Sequence, residues 1–158
     1  MNAELDAAMM REALQLARWA AERGEVPVGA AVVKDGEIIG RGYNSPISSS
    51  DPTAHAEVTA IREACRVLGT FQLIGCEIYT SCEPCPMCLG AIYWARPERV
   101  YFGATARDAS AAGFDDSFIY DELKRPHTER RIPLEPMMRE AALEPFREWG
   151  QKDDRVRY

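Results

Sequence analysis

The chain has 158 residues, of which 46% are hydrophobic and 28% are charged, and this suffices for one globular domain over residues 1–158. Acidic residues outnumber basic ones by 25 to 19, giving a net charge of −6, so a long nucleic acid is an unfavourable partner. No apolar run approaches the ~20 residues that span a bilayer. The acidic N-terminus also lacks the apolar stretch of a signal peptide, so neither membrane insertion nor export is expected.

The five cysteines form an odd set, and three of them lie within residues 81–88. In a chain without an export signal, such crowding favours metal or redox chemistry over a disulfide framework. We therefore expect a cytoplasmic protein.

Apolar residues recur at helical spacing from Leu5 to Ala20, and Gly24 stands where that helix should end. Asp35-Gly36 separates two short apolar runs and predicts a tight β-hairpin. The remaining predicted elements are a loop over 44–51, a helix over 54–68, a strand over 77–80, a helix over 84–94, a strand over 99–103, helices over 117–123 and 137–149, and a short strand near Ile132. Strands alternating with helices indicate a three-layer α/β protein, and the hairpin makes its central sheet mixed.

The most informative residues are His55, Glu57 and the pair Cys85 and Cys88. One imidazole and two thiolates suit zinc, and three protein ligands leave the fourth tetrahedral position to water, as in catalytic zinc sites. Both cysteines stand at a predicted helix start, where the helix dipole favours their thiolate forms. The pattern therefore predicts a catalytic zinc site held by His55, Cys85 and Cys88.

Glu57 follows His55 too closely to be a convenient ligand, but it can reach the metal's water. Zinc lowers the pKa of bound water from 15.7 to about 7, so that zinc hydroxide is available as a nucleophile. A carboxylate must then carry protons from that water to the substrate and to its leaving group, and Glu57 fits this general acid–base role.

Cys82 leaves an alternative open, because a third thiolate could close the site as the structural zinc centre of a binding module. Its position before Glu83-Pro84 instead favours a buried residue at the end of a strand. Cys65 and Cys76 are expected in the core.

The order His-Ala-Glu at 55–57 and Pro-Cys-x-x-Cys at 84–88 resembles the zinc site of the cytidine deaminase-like superfamily. The resemblance implies an α/β/α sandwich with zinc on His55, Cys85 and Cys88. It also implies hydrolytic removal of an amino group from a nucleobase, with Glu57 as the proton shuttle.

Residues 51–97 and 112–118, together with the terminal Tyr158, resemble the small bacterial guanine deaminases and their plant guanosine-acting relatives. This resemblance implies conversion of guanine to xanthine and ammonia, with Asn44 and Asp116 hydrogen-bonding the purine. It further implies a homodimer in which a swapped C-terminal segment, about residues 125–158, carries Tyr158 to the partner's pocket.

The residues assigned to substrate binding also have structural alternatives. Guanine offers N–H donors that Asp116 can accept, and the amide of Asn44 matches a mixed donor–acceptor pattern. Asn44 could instead support the loop after the hairpin, and Asp115 or Asp116 could cap the following helix. Trp94 is a candidate for the pocket wall, with a core-facing position as the alternative.

The segment before the first strand departs from the guanine deaminase pattern. Those enzymes usually carry Gly-Gly-Pro-Phe-Gly there, whereas Gly24–Gly29 of this chain resembles the tRNA adenosine deaminases. Val28 offers less stacking surface than phenylalanine. The open alternatives to guanine are therefore a tRNA wobble adenosine, guanosine, cytosine or another small aminated heterocycle.

Overall fold

The computed structural model describes residues 3–158, so the first two residues of the predicted domain lie outside the described part. Seven α-helices are formed there: α1 (Ala3–Glu22), α2 (Pro46–Ser49), α3 (Ala56–Leu68), α4 (Pro86–Ala95), α5 (Ala106–Ala111), α6 (Ser117–Lys124) and α7 (Arg139–Gly150). Four strands are formed there: β1 (Gly29–Lys34), β2 (Glu37–Tyr43), β3 (Cys76–Cys82) and β4 (Arg99–Ala104). The chain divides into two compact units, and the boundary in the sequence falls between Ser117 and Phe118.

The first unit is built on a single mixed sheet with the strand order β2-β1-β3-β4. β1 pairs antiparallel with both β2 and β3, whereas β3 and β4 are parallel. The hairpin predicted at Asp35-Gly36 is confirmed, and both residues have positive φ angles, 51° and 82°, as a primed two-residue turn requires. A bulge between Val32 and Val33 shifts the register of this hairpin by one residue.

Helices cover both faces of the sheet. On one face, Ala60 of α3 and Ile92 of α4 are buried in one cluster with Val32 and Ile78 of the strands. On the other face, Ala13 of α1 packs with Val33 and Tyr79. The predicted three-layer α/β/α arrangement with a mixed central sheet is thus confirmed.

Two glycines of β2 bring α3 unusually close to the sheet. A Cβ atom at Gly42 would collide with the carbonyl oxygen of Ala56, and one at Gly40 would collide with that of Ala60. Ala56 and Ala60 are themselves fully buried. The small residues on both elements therefore set the height of α3 above the sheet and position the start of that helix.

The second unit, Phe118–Tyr158, contains α6, a short 3-10 turn at His127–Glu129 and α7. None of its residues is buried. Large apolar side chains are strongly exposed, among them Ile132 at 80%, Met137 at 83% and Phe146 at 71%. The unit therefore lacks a core of its own.

Three local predictions differ from the structure. The strand predicted near Ile132 is wrong, because this residue lies in an irregular segment and is followed by Pro133, which has no N–H for a ladder. The helices α2 and α5 were not expected. Each is too short for the helical repeat of apolar residues to show in the sequence.

Every helix within residues 3–158 is too short or too polar to cross a bilayer.

Candidate active site

The ligand atoms of His55, Cys85 and Cys88 meet where two helices begin. His55 is the residue before α3, and Cys85 is the residue before α4. The Nδ1 atom of His55 lies 3.5 Å from the Sγ of Cys85 and 3.6 Å from the Sγ of Cys88. Tetrahedral coordination at ordinary zinc bond lengths places such nitrogen and sulfur atoms about 3.6 Å apart. The donor set and its spacing therefore fit zinc, and within residues 3–158 it is the one cluster of this kind.

Hydrogen bonds link the three side chains, and a divalent cation could take the place of the protons in those bonds. Hydrogen bonding from Cys88 and from His55 holds the pKa of the Cys85 thiol near 4, despite its burial. The same bond to Cys85, together with burial, raises the pKa of Cys88. The Cys85 thiolate raises the pKa of His55. The donor atoms of the three side chains thus converge, and Cys85 is held in the thiolate form that a zinc ligand requires.

Glu57 lies in the first turn of α3 beside this cluster. Its side chain is only 3% exposed. Its carboxylate accepts hydrogen bonds at 3.3 Å from the Oγ1 of Thr80 and from the Sγ of Cys88. Burial raises the pKa of Glu57, so its carboxyl group can hold a proton more readily than an exposed glutamate. The predicted proton carrier therefore sits next to the predicted metal ligands.

The other three cysteines stand apart from the metal cluster. Cys82 is the last residue of β3 and is 7% exposed, as expected for a buried strand-end residue. Burial and the charge of Glu57 raise its pKa to about 11, so its thiol stays protonated at neutral pH. Cys76 belongs to the hydrophobic core, and the partly buried Cys65 packs against that core, as predicted. All five thiols are free of disulfides.

The side chain of Asn44 binds the first turn of α3. Because the His55 side chain makes no capping bond, the first backbone N–H of α3, at Ala56, donates instead to the Oδ1 of Asn44 at 2.9 Å. Asn44 is 1% exposed and lines the pocket beside the metal cluster. A ligand in this pocket would therefore meet chiefly the NH2 group of Asn44. The structural role of this side chain is thus at the start of α3 rather than in the loop after the hairpin, and it leaves the NH2 group of the amide to a ligand.

Asp115 and Asp116 were both considered as caps of the following helix, and within residues 3–158 only Asp115 makes such a bond. The Oδ1 of Asp115 accepts a hydrogen bond from the backbone N–H of Ser117 at 2.9 Å and so forms the turn into α6. Asp116 makes no such bond in the described structure and is half-buried. Burial raises its pKa, and the negative charges of Cys85 and Glu83 raise it further. The charge of Cys85 therefore acts on Asp116, although Asp116 does not line the pocket beside the cluster.

The pocket wall includes an aromatic residue that was not among the predicted site residues. The ring of Phe114 lies 6.2 Å from the imidazole of His55, and the two rings are tilted by 56°. Together with Val28 it lines the pocket. The sequence signal for Phe114 was its place in the 112–118 segment, directly after Gly113, whose φ of +93° turns the chain there.

Trp94 and Tyr158 are the remaining predicted substrate residues. Trp94 is 62% exposed, because α4 points Cys88, Ile92 and Ala95 inward and Trp94 follows Ile92 by more than half a turn. It does not line the pocket beside the cluster. Tyr158 ends the second unit and is 68% exposed. A contact of Trp94 or Tyr158 with the substrate therefore stays a prediction.

With this site in place, the comparisons with known proteins identify the class. The sequence model of the cytidine and deoxycytidylate deaminase zinc-binding region matches residues 3–104. The chain belongs to this family, which makes it a zinc-dependent hydrolytic deaminase.

Among its relatives, guanine deaminase of Bacillus subtilis is 57% identical over 132 residues, which are 84% of this chain and 85% of the relative. The X-ray structure of that guanine deaminase matches with a TM-score of 0.93 and 52% identity, covering 100% of this chain and 99% of the other. The tRNA-specific adenosine deaminase of Aquifex aeolicus is 43% identical over 143 residues, 90% of this chain and 92% of its own. A solved tRNA:A34 deaminase matches with a TM-score of 0.64 and 38% identity, covering 80% of this chain and 95% of the other.

Proposed function

We propose that this protein hydrolyses guanine to xanthine and ammonia, with zinc held by His55, Cys85 and Cys88. The supporting observation is the backbone agreement with a guanine deaminase along the whole chain, at a TM-score of 0.93. The agreement with a tRNA:A34 deaminase is weaker and ends short of the full chain. Guanine is therefore favoured over the wobble adenosine.

The residues around the pocket supply the proton transfers of this reaction. Bound zinc supplies a water of lowered pKa, which provides the nucleophile at neutral pH. Glu57 would take a first proton from the attacking water and deliver it to the ring nitrogen N3 beside the attacked carbon C2. It would then take the second proton from the hydroxyl group added at C2 and pass it to the departing amine, which leaves as ammonia. Burial suits Glu57 to both steps, because it raises the pKa of Glu57 and so lets the carboxyl group hold a proton more readily than an exposed carboxylate does.

Recognition of guanine is assigned to Asn44 and Asp116. The Asp116 carboxylate accepts N–H groups of the purine, and the NH2 group of Asn44 donates to a purine acceptor. The bond from Ala56 to Asn44 orients the amide, because it commits the oxygen and turns the donor side toward the ligand. A base with the opposite donor–acceptor pattern leaves these groups unpaired and binds poorly.

The test is ammonia release by the zinc-loaded protein from guanine, guanosine, adenine, cytosine and an anticodon stem-loop. We expect guanine to be preferred at least 100-fold in kcat/KM, the order of discrimination that unpaired polar groups impose. Asp116→Asn should raise KM for guanine, whereas Asp115→Asn, the matched change at the turn residue, should not. Preference for another substrate, or equal effects of the two variants, would reject the assignment.

A tRNA wobble adenosine deaminase is the second candidate, favoured by Gly24–Gly29 and by the relative from Aquifex aeolicus. This function requires binding to an anticodon stem-loop that weakens steeply with salt. Activity on that RNA alone would establish this candidate. The net charge of −6 disfavours it.

We also infer a homodimer in which the C-terminal segment is exchanged between subunits. The second unit has no buried residue, yet Leu123, Met138 and Phe146 are 58%, 73% and 71% exposed. Apolar surface on this scale is typical of segments that fold against a partner. A second copy of the chain supplies a surface for it and allows Tyr158 to close the partner's pocket.

A cytoplasmic location is inferred from the thiols. Five cysteines without a disulfide, two of them required as thiolate ligands, suit a reducing compartment. Fractionation of cells that express the full chain tests this, and recovery outside the cytoplasm would contradict it.

A further inference from the structure

The pocket beside the metal cluster borders a second, larger cavity. The pocket itself has a volume of about 10 Å³. That space admits about one water molecule, so a base whose reacting carbon meets the cluster must extend beyond it. The neighbouring cavity has a volume of about 290 Å³ and shares the walls Val28, Cys82 and Phe114 with the pocket.

The walls of the larger cavity are mainly apolar. Val26, Ala109 and Ala112 line it together with the three shared residues. Its polar side chains already have partners within the fold. The Oγ of Ser81 accepts a hydrogen bond from the backbone N–H of Gly29. The carboxylate of Asp108 binds the N–H and hydroxyl groups of Thr105.

We propose that this cavity is a subsite for a small alkyl group carried on the five-membered ring of guanine. This inference rests on the proposed function and extends its substrate class. The carbon C2 must face Glu57 and the metal ligands, so the five-membered ring lies at the far end of the base. Val28 stands on the shared wall, and because it is smaller than phenylalanine it would obstruct a substituent reaching the cavity less than phenylalanine would.

The same walls disfavour a sugar in this position. A ribose would bring hydroxyl groups against the half-buried Val26 and Ala109, where they would lose hydrogen bonds to water without replacement. An alkyl group loses only its contact with water, and each buried methylene strengthens binding by about fourfold. The subsite thus selects alkylguanines over guanosine.

The experiment uses the zinc-loaded full chain and measures both Kd and kcat/KM. The probes are guanine, its 7-, 8- and 9-propyl derivatives, and guanosine. We expect at least one propylguanine to bind tenfold more tightly than guanine, and guanosine to bind more weakly. Ala112→Leu fills the cavity from the α5 side and should reduce the propyl-to-guanine ratio of affinities at least tenfold. Ala111→Leu, the neighbouring change outside the cavity wall, should leave that ratio as it is.

Val28→Phe is the second variant and should lower the same ratio by narrowing the passage. Weaker binding of all three propylguanines than of guanine would overturn the subsite while leaving guanine deamination intact. An equal loss of affinity for guanine and for propylguanine in Ala112→Leu would also overturn the subsite. The substitution would then disturb the packing of the protein rather than a contact with the propyl group. Failure of guanine to bind or react would reject the proposed function and the subsite together.

Discussion

The carboxyl group of Glu57 is held between a threonine hydroxyl and a thiol of the metal cluster. Glu57→Gln preserves the size of the side chain but removes its ability to carry protons. We expect kcat to fall by about 10²–10⁴, the usual contribution of general acid–base catalysis, while one zinc per chain is retained. Ammonia release and metal analysis measure the two quantities.

Glu63→Gln, the same change on the outer part of α3, is the control and should keep normal turnover. Glu63 accepts the backbone N–H of Arg41 and lies away from the pocket walls. Near-normal activity of Glu57→Gln would contradict the proton-carrier role.

The cysteines differ in their expected contribution to zinc. Cys85→Ser removes a thiolate whose pKa is already lowered by its neighbours, and we expect zinc content and activity to be lost. Cys82→Ser changes a protonated thiol outside the cluster and should retain zinc. Metal analysis after dialysis against a weak chelator decides between them. Loss of zinc from Cys82→Ser would instead indicate that Cys82 is a fourth ligand and that the zinc site is structural.

At the scale of the elements, the contact between β2 and α3 decides where the site forms. Gly42→Ala places a methyl group against the carbonyl oxygen of Ala56, at the helix turn that carries His55 and Glu57. We expect a loss of about 1–3 kcal/mol in the free energy of unfolding, typical of overpacking, and weaker zinc retention. Urea unfolding and metal analysis test both.

Gly150→Ala is the matched control, because a Cβ there meets no atom within 4 Å and lies in the last turn of α7. It should be neutral or slightly stabilising. Equal destabilisation by both variants would show that the close approach of α3 is not the cause.

Helix α2 is tied to the segment before β1 by one carboxylate. Glu25 accepts the backbone N–H of Ser48 at 2.7 Å and that of Ile47 at 3.3 Å. Burial alone would raise the pKa of Glu25, but the bonds from Ser48 and Ile47 outweigh it and lower the pKa. The stabilisation is therefore complete above the pKa of an unfolded glutamate and disappears as the pH falls through the lower folded value.

Glu25→Gln should accordingly lower Tm at pH 7 and lose this effect in acid. Melting curves of both proteins from pH 7 down to pH 3 measure the difference. A difference in Tm that grows toward low pH would contradict the assigned sign.

At the scale of the whole molecule, the exchanged C-terminal segment makes an activity prediction. Glu57→Gln and Tyr158→Ala should each be nearly inactive as homodimers. A purified hybrid of the two contains one site with both an intact Glu57 and the partner's intact Tyr158, so it should recover about half of the wild-type activity. Two different affinity tags allow the hybrid to be isolated.

A hybrid no more active than its parents would show that Tyr158 does not act across the subunit boundary. Sedimentation of the full chain provides the independent measurement. A monomer at micromolar concentration would contradict the exchange.

Local patterns were sufficient for the elements with strong signals. The hairpin at Asp35-Gly36 needs two positive φ angles, which those residue types adopt readily, and α1 shows five apolar residues at helical spacing. The zinc ligands were equally visible, because few other chemistries use one histidine and two cysteines in this order. Short helices such as α2 and α5 carry no comparable repeat.

By itself the sequence determined the layers and the candidate metal ligands, since these depend on residue type and spacing along the chain. The class of reaction was implied by the resemblance that the residues at 55–57 and 84–88 carry. Only the tertiary structure decided that Asn44 caps α3 with its oxygen, that Asp115 rather than Asp116 makes the turn, and that Phe114 faces His55. It alone also disclosed the cavity beyond Val28. Apart from the local turn between Asp115 and Ser117, these features arise between residues far apart in the chain, and their geometry is set by how the helices pack on the sheet.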